Sequence, residues 1–153
     1  ILLRRNPLEN AKSFANRHKN FELDNPLPSF KKTCFPIDIS SLSKFQLYLW
    51  QWVEIELRYY RFIERFNLDA IIFNTSDLNS VEDLTVLFHR LSISIKKPIH
   101  LLSPVNTNIN SGVGATLVEP KDVREYLAFL ELIPSHLLDN LPNMEIFVQE
   151  HFS

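Results

Sequence analysis

Residues 1–17 change from a strand to a helix within a few positions, and no other stretch constrains the fold as tightly. Ile1-Leu2-Leu3 is a continuous apolar run of the kind that ends a buried strand. Arg4, Arg5 and Asn6 stand where that strand would stop. Pro7 suits the first turn of a helix, because its missing N–H would have been an unpaired donor there anyway. Asn6 in front of it is a good N-cap, and Glu9, three residues on, stands in a capping-box relation to it. Leu8, Ala11 and Phe14/Ala15 then recur at helical spacing. Strand, tight turn and helix therefore follow one another as one unit, and an α/β chain is expected. Backbone N–H groups at a helix start attract anions, and two guanidiniums beside them predict a phosphate site, with the Ser13 hydroxyl on the same early part of the helix.

Arg5-Asn6-Pro7, with Ser13 eight positions after Arg5, resembles the motif R-N-P-x-x-x-x-x-S of the sulfotransferase family. The resemblance implies that Arg5 and Ser13 bind the 3'-phosphate of the co-substrate 3'-phosphoadenosine 5'-phosphosulfate (PAPS), with Arg4 adding field. It also implies a P-loop-NTPase-like parallel sheet with flanking helices, and transfer of a sulfuryl group to an acceptor hydroxyl or amine. The family's loop for the 5'-phosphosulfate and its catalytic base lie before the segment that matches Ile1. Residues 1–153 are thus expected to be a single, N-terminally incomplete sulfotransferase-like domain, its C-terminal portion, inactive alone, with the catalytic residues unassigned. The expected partners are the nucleotide donor and an acceptor whose identity the residues do not give.

The overall charge of -2 does not suggest a general nucleic-acid binder. Its distribution is uneven: residues 1–33 carry seven Lys/Arg against three acids, and residues 119–153 carry seven acids against two bases. The basic end is the one that holds the phosphate-type motif. A hydrophobic content of 45% and an aromatic content of 12% exclude a disordered chain. Cys34 is the single cysteine, which rules out an internal disulfide and permits a reducing compartment; a cytoplasmic location is expected. It has no His/Asp constellation near it in sequence that would make it a nucleophile. No run is long and apolar enough to span a membrane. His18, His89, His100, His136 and His151 show no metal-ligand spacing, and no metal is expected.

Residues 16–33 are polar, contain Pro26 and Pro28, and read as a loop; Arg17, His18 and Lys19 suit the negative end of a helix. Ser40, Ser41 and Ser43 are each able to cap the next element, a helix over about 42–66 without Gly or Pro. Phe45, Leu49, Trp52, Tyr59, Ile63 and Phe66 form its apolar stripe. Glu56 falls on that stripe and must snorkel or find a partner, since an unpaired buried charge is strongly unfavourable. Glu54 and Arg58 are placed to pair at i,i+4 on another face. The aromatic density is either core packing or a stacking platform for adenine. This helix, too, resembles the Trp/Glu/Arg/Phe-bearing helix that precedes a strand in the bacterial and algal members of the family.

The strand that follows is expected over Leu68–Phe73, parallel to Ile1–Arg4, with helix 42–66 as the crossover. A helix over 81–91 comes next, with Leu84, Leu87/Phe88 and Leu91 on one face. Asp77-Leu78 and Phe88 to Ile93 resemble further family phrases, whereas Thr75 and Ser76 replace an aromatic or Arg-type residue and a Glu. The ring that contacts adenine in many members has no counterpart at Thr75. Residues 94–120 read as loop; Gly112-Val113-Gly114 is a turn or an anion-binding stretch, without a Lys or Arg between Lys97 and Lys121. A helix over 120–132, with Val123, Tyr126/Leu127 and Leu130 buried, and shorter elements at 136–138 and 144–152 complete the chain. A second reading, from a different class, is a non-catalytic sulfotransferase-like domain whose aromatic helix and acidic tail bind a protein partner. The changes at Thr75 and Ser76 favour it; the intact Arg5/Asn6/Pro7/Ser13 spacing favours the enzyme.

Overall fold

The computed structural model describes residues 1–19, 33–101 and 117–149. In chain order the elements are strand β1 (Leu2–Arg4), helix α1 (Pro7–Arg17), helix α2 (Lys44–Phe66), strand β2 (Ile72–Asn74), and helices α3 (Val81–Arg90), α4 (Pro120–Leu130), α5 (Ser135–Leu138) and α6 (Ile146–Gln149). The described residues are mixed α/β but mostly helical, with one small parallel sheet. By their contacts the residues divide into two compact units, Ile1–Arg5 with Asp69–Ala115, and Asn6–Leu68 with Thr116–Ser153.

The first unit carries the sheet. β1 and β2 pair in parallel, with Leu2 opposite Ile72, Leu3 opposite Phe73 and Arg4 opposite Asn74. The Leu2 N–H donates to the Ile71 carbonyl at 2.8 Å. The strand expected over Leu68–Phe73 is shorter and later than its apolar run: Leu68, Asp69 and Ala70 are exposed outside it. Nor is β1 a buried strand, since Ile1 is 66% and Leu3 53% exposed. A two-stranded sheet has too little neighbouring surface to cover both of its faces. After β2 a 3-10 turn, Thr75–Asn79, is closed by the Asp77 carboxylate, which accepts from the Asn74 N–H at 2.9 Å. Ser80 then caps α3 by accepting from the Asp83 N–H. Leu84, Leu87, Phe88 and Leu91 are half-buried while the rest of α3 is exposed, as its apolar spacing predicts.

The second unit contains the core. α1, α2 and α4 bury Leu8, Leu49, Trp50, Val53, Tyr126 and Phe129 almost completely. α2 starts where its sequence directs: the Ser43 hydroxyl accepts from the Gln46 N–H, and the Gln46 side chain accepts from the Ser43 N–H. It ends at Asn67, whose φ of 48° is in the left-handed region that Asn tolerates better than most residues. The stripe expected along α2 is buried only in its first half. Tyr48, Trp50, Val53, Glu54 and Leu57 join Phe45, Leu49 and Trp52 inside, whereas Phe66 is 54% exposed. On α4 the buried aromatic after Tyr126 is Phe129, and Leu127 points outward at 45% exposed. That face follows positions 122, 123, 126 and 129, one ordinary helical stripe, rather than the neighbouring leucines. The expected elements at residues 136–138 and 144–152 correspond to α5 and α6 over their described parts.

Candidate functional site

In the first unit both strands end on the same side of the sheet, because they are parallel and Arg4 is in register with Asn74. Arg5 follows β1 directly and is exposed. Thr75, Ser76 and Asp77 follow β2 at the same carboxyl edge. In parallel α/β folds this edge is where ligands are bound. The edge therefore gathers a guanidinium-bearing strand end and a hydroxyl-bearing turn. Asp77 is committed to its turn, with the Ser76 hydroxyl donating to it at 3.1 Å.

In the second unit Asn6 caps α1 as its residue type predicts: its Oδ1 accepts from the Leu8 N–H at 3.0 Å. The amide's Nδ2 donates to the Phe147 carbonyl at 3.3 Å, which ties the helix start to α6. This changes one expectation. Pro7 has no N–H and the Leu8 N–H is taken by Asn6, so the first turn offers an anion fewer backbone donors than an uncapped helix start. Ser13 is half-buried on α1, next to the inward-facing Lys12. Arg5 and Ser13 belong to different units, and each is placed within its own.

Two charged clusters are buried inside the second unit, and from the sequence no role was expected for the first of them. Lys12 is buried, and its ammonium donates to both carboxylate oxygens of Asp122, at 2.9 and 2.7 Å. Asp122 also accepts from the Glu119 N–H at 2.8 Å, so one buried carboxylate starts α4 and holds α1. Glu119 lies 3.6 Å from Lys12 and 2.7 Å from Lys121. The hydrogen bond from Lys121, then the Lys12 charge, holds the Glu119 carboxyl below the usual carboxylate range; the same contact holds Lys121 above its ordinary value. The signal for Lys12 was present in the spacing: 8, 11, 12 and 15 form one helical face, so a lysine at 12 faces inward.

Glu54, expected to form an ordinary i,i+4 helix salt bridge with Arg58, does bond the Arg58 Nε at 3.0 Å, and does so with no exposure of its own. Its other oxygen accepts from the Phe35 N–H, while the Trp50 indole N–H donates to the Phe35 carbonyl at 2.9 Å. The Phe35 peptide is thus held on both sides by α2, a partnership between residues far apart in sequence. Glu56 is buried, as its place on the apolar stripe requires. Cys34 lies beside this group; burial pushes its thiol up, and the Glu54 charge pushes the same way against Arg61 and Arg58. A buried thiol of this kind is not an activated nucleophile.

At the end of α1, Arg17, its last residue, and Lys19 beyond it are exposed, and His18 is the C-cap, its ring stacked on Phe14 at 5.5 Å and its carbonyl accepting from Lys44 at 3.0 Å. Gly112-Val113-Gly114 lies outside the described residues. Among the described residues no group of three or more His, Cys, Asp or Glu side chains is arranged to hold a metal ion, and no helix is long and apolar enough to cross a membrane. Compared with family models, with curated proteins and with solved structures, the chain matches none.

Proposed function

We propose that this chain is the part of a PAPS-dependent sulfotransferase that holds the donor's 3'-phosphate, within a P-loop-like fold. The observation that carries the reading is the parallel pairing of β1 with β2, which brings the end of the Arg-bearing strand and the turn after the second strand to one sheet edge. Parallel pairing of strands so far apart in sequence is the grammar of nucleotide-binding α/β folds, and an antiparallel hairpin would have removed the basis for the reading. Asn6 and Pro7 add a helix start of the type the R-N-P-x-x-x-x-x-S motif requires.

In this reading Arg5 and Ser13 hold the 3'-phosphate, by a charge-assisted hydrogen bond and a hydroxyl donor respectively, and Arg4 raises the local positive potential. The acceptor oxygen or nitrogen attacks the sulfur in line, and the bond from sulfur to the 5'-phosphate oxygen breaks. The electron pair leaves with adenosine 3',5'-bisphosphate. Positive groups near the bridging oxygen would lower the barrier, as in phosphoryl transfer. The acceptor proton goes to a base that these residues do not assign. The free thiol of Cys34 fits a cytoplasmic location.

Titration calorimetry at fixed salt tests the site, because phosphate contacts are screened by ions. The chain should bind adenosine 3',5'-bisphosphate more tightly than adenosine 5'-monophosphate. Arg5→Ala should weaken the bisphosphate by about tenfold or more, the loss expected from one charge-assisted hydrogen bond. Arg17→Ala, a change to an exposed cation at the other end of α1, should alter neither ligand. Equal affinity for the two nucleotides, or equal losses for the two variants, would leave a basic strand end with no specific site.

A further inference from the structure

We propose that the C-terminal half of α2 is a docking face for an acidic amphipathic helix of a partner protein. α2 carries a second apolar row at alternating steps of four and three: Tyr48, Trp52, Ile55, Tyr59, Phe62 and Phe66. Such spacing keeps one seam aligned along a helix and is the pattern by which helices pair. Its first two members are inside the core, where Trp52 meets the Phe147 ring at 5.8 Å. From Ile55 onward the same seam leaves the core: Ile55 is 46%, Phe62 53% and Phe66 54% exposed. Phe62 and Phe66 are packed on each other at 4.8 Å and form one apolar ridge. On a helix turning about 100° per residue, 55, 59, 62 and 66 fall within about 60° of one another.

The charge beside the seam selects the occupant. Arg58, Arg61 and Arg65 run along one flank, and the Arg65 guanidinium lies over the Phe66 ring at 5.5 Å from its centroid. Arg61 and Arg65 are exposed. With Tyr59 and Phe66 as a positions, Arg58 and Arg65 are g positions, while Glu56 and Ile63 are e positions. A second copy is a poor occupant: an antiparallel pair sets g against g and opposes arginines, and a parallel pair sets Arg58 against Ile63. A bilayer is a poor occupant as well, because the seam is narrow and only one flank is basic, whereas interfacial helices present a broad apolar face below a basic one. A helix with an apolar seam and Glu or Asp on the facing flank satisfies both the ridge and the exposed Arg61 and Arg65, Arg58 being held by Glu54.

The test uses the full chain and two labelled peptides of about three heptads with Leu at a and d, one with Glu at e and g and one with Lys there. Fluorescence anisotropy should show the Glu peptide binding about tenfold or more tightly than the Lys peptide, the preference expected from two or three rim ion pairs. Phe62→Ala with Phe66→Ala should abolish that binding. Arg61→Glu with Arg65→Glu, both at exposed positions, should invert the preference while far-ultraviolet circular dichroism stays unchanged. This gain of Lys-peptide binding by a folded variant is a result that loss of structure cannot imitate. Equal binding of the two peptides, or binding of neither, overturns the proposal. So does a Phe62-dependent dimer in sedimentation, which makes a second copy the occupant, or Phe62-dependent binding to phosphatidylserine vesicles, which makes it a lipid surface.

Discussion

Lys12 and Asp122 decide how α1 is held to α4. The pair is buried, and Asp122 has a second donor in the Glu119 N–H, so most of what it lost by leaving water is restored by hydrogen bonds. Such a pair adds little or no net stability over a well-packed apolar substitute, yet removing one member leaves a buried charge without its counter-charge. Lys12→Met is therefore expected to cost about 3 kcal/mol or more, measured as a fall in the urea midpoint at constant slope. Combining it with Asp122→Leu should recover part of that loss, limited by the α4 cap that Asp122 also supplies. A cost below about 1 kcal/mol for Lys12→Met would mean that the pair behaves like a surface ion pair. Arg17→Ala, at an exposed position, serves as the control.

At the scale of elements, α2 is the piece whose start and end are fixed by local chemistry. Ser43 and Gln46 close its capping box, and Asn67 takes the left-handed turn after it. Ser43→Ala should destabilise the second unit by about 1 kcal/mol, the usual worth of an N-cap, in thermal or chemical unfolding followed by Trp50 and Trp52 fluorescence. Ser41→Ala should not, since Ser41 bonds the Asp38 carbonyl in the preceding 3-10 turn and caps nothing. The cap was legible, as one of three serines, because it depends on neighbours in sequence. So were α1, with Asn6 and Pro7 at its start, and the parallel relation of the first and second strands. The span of β2 and the burial of Glu54 were not. β2 begins where pairing with β1 begins, not where the apolar run begins, and Glu54 is drawn inside by the Phe35 peptide, nineteen positions away. Both depend on a distant partner that a local pattern does not contain. For the candidate site, the residue types and spacing of Arg5 and Ser13 were readable; the use of the Leu8 N–H by Asn6 was not, because capping and anion binding draw on the same donors.

Over the whole molecule, the two units differ in how much apolar surface each encloses. All of the contiguous core, from Leu8 to Phe147, belongs to the second unit, whereas Phe73 is the one buried side chain among the described residues of the first. Opening free energy follows buried apolar contact, so the first unit should open at much lower cost than the second. Native-state hydrogen exchange provides the measurement. The Leu2 N–H, bonded to the Ile71 carbonyl, and the α3 amides should exchange through a low-energy local opening, while amides of α2 between Leu49 and Leu57 should approach the global limit. A ligand in excess that binds only the closed form of the first unit should then raise its opening free energy by RT ln(1 + [L]/Kd), slowing exchange there by the factor 1 + [L]/Kd. Adenosine 3',5'-bisphosphate is the ligand to use. Protection that rises at Leu2, Leu3 and Arg4 with the bisphosphate, but not with the monophosphate, is the expected pattern for a phosphate site next to β1. Equal protection of both units before any ligand is added would show that the small sheet is as stable as the core, against the burial that each unit displays.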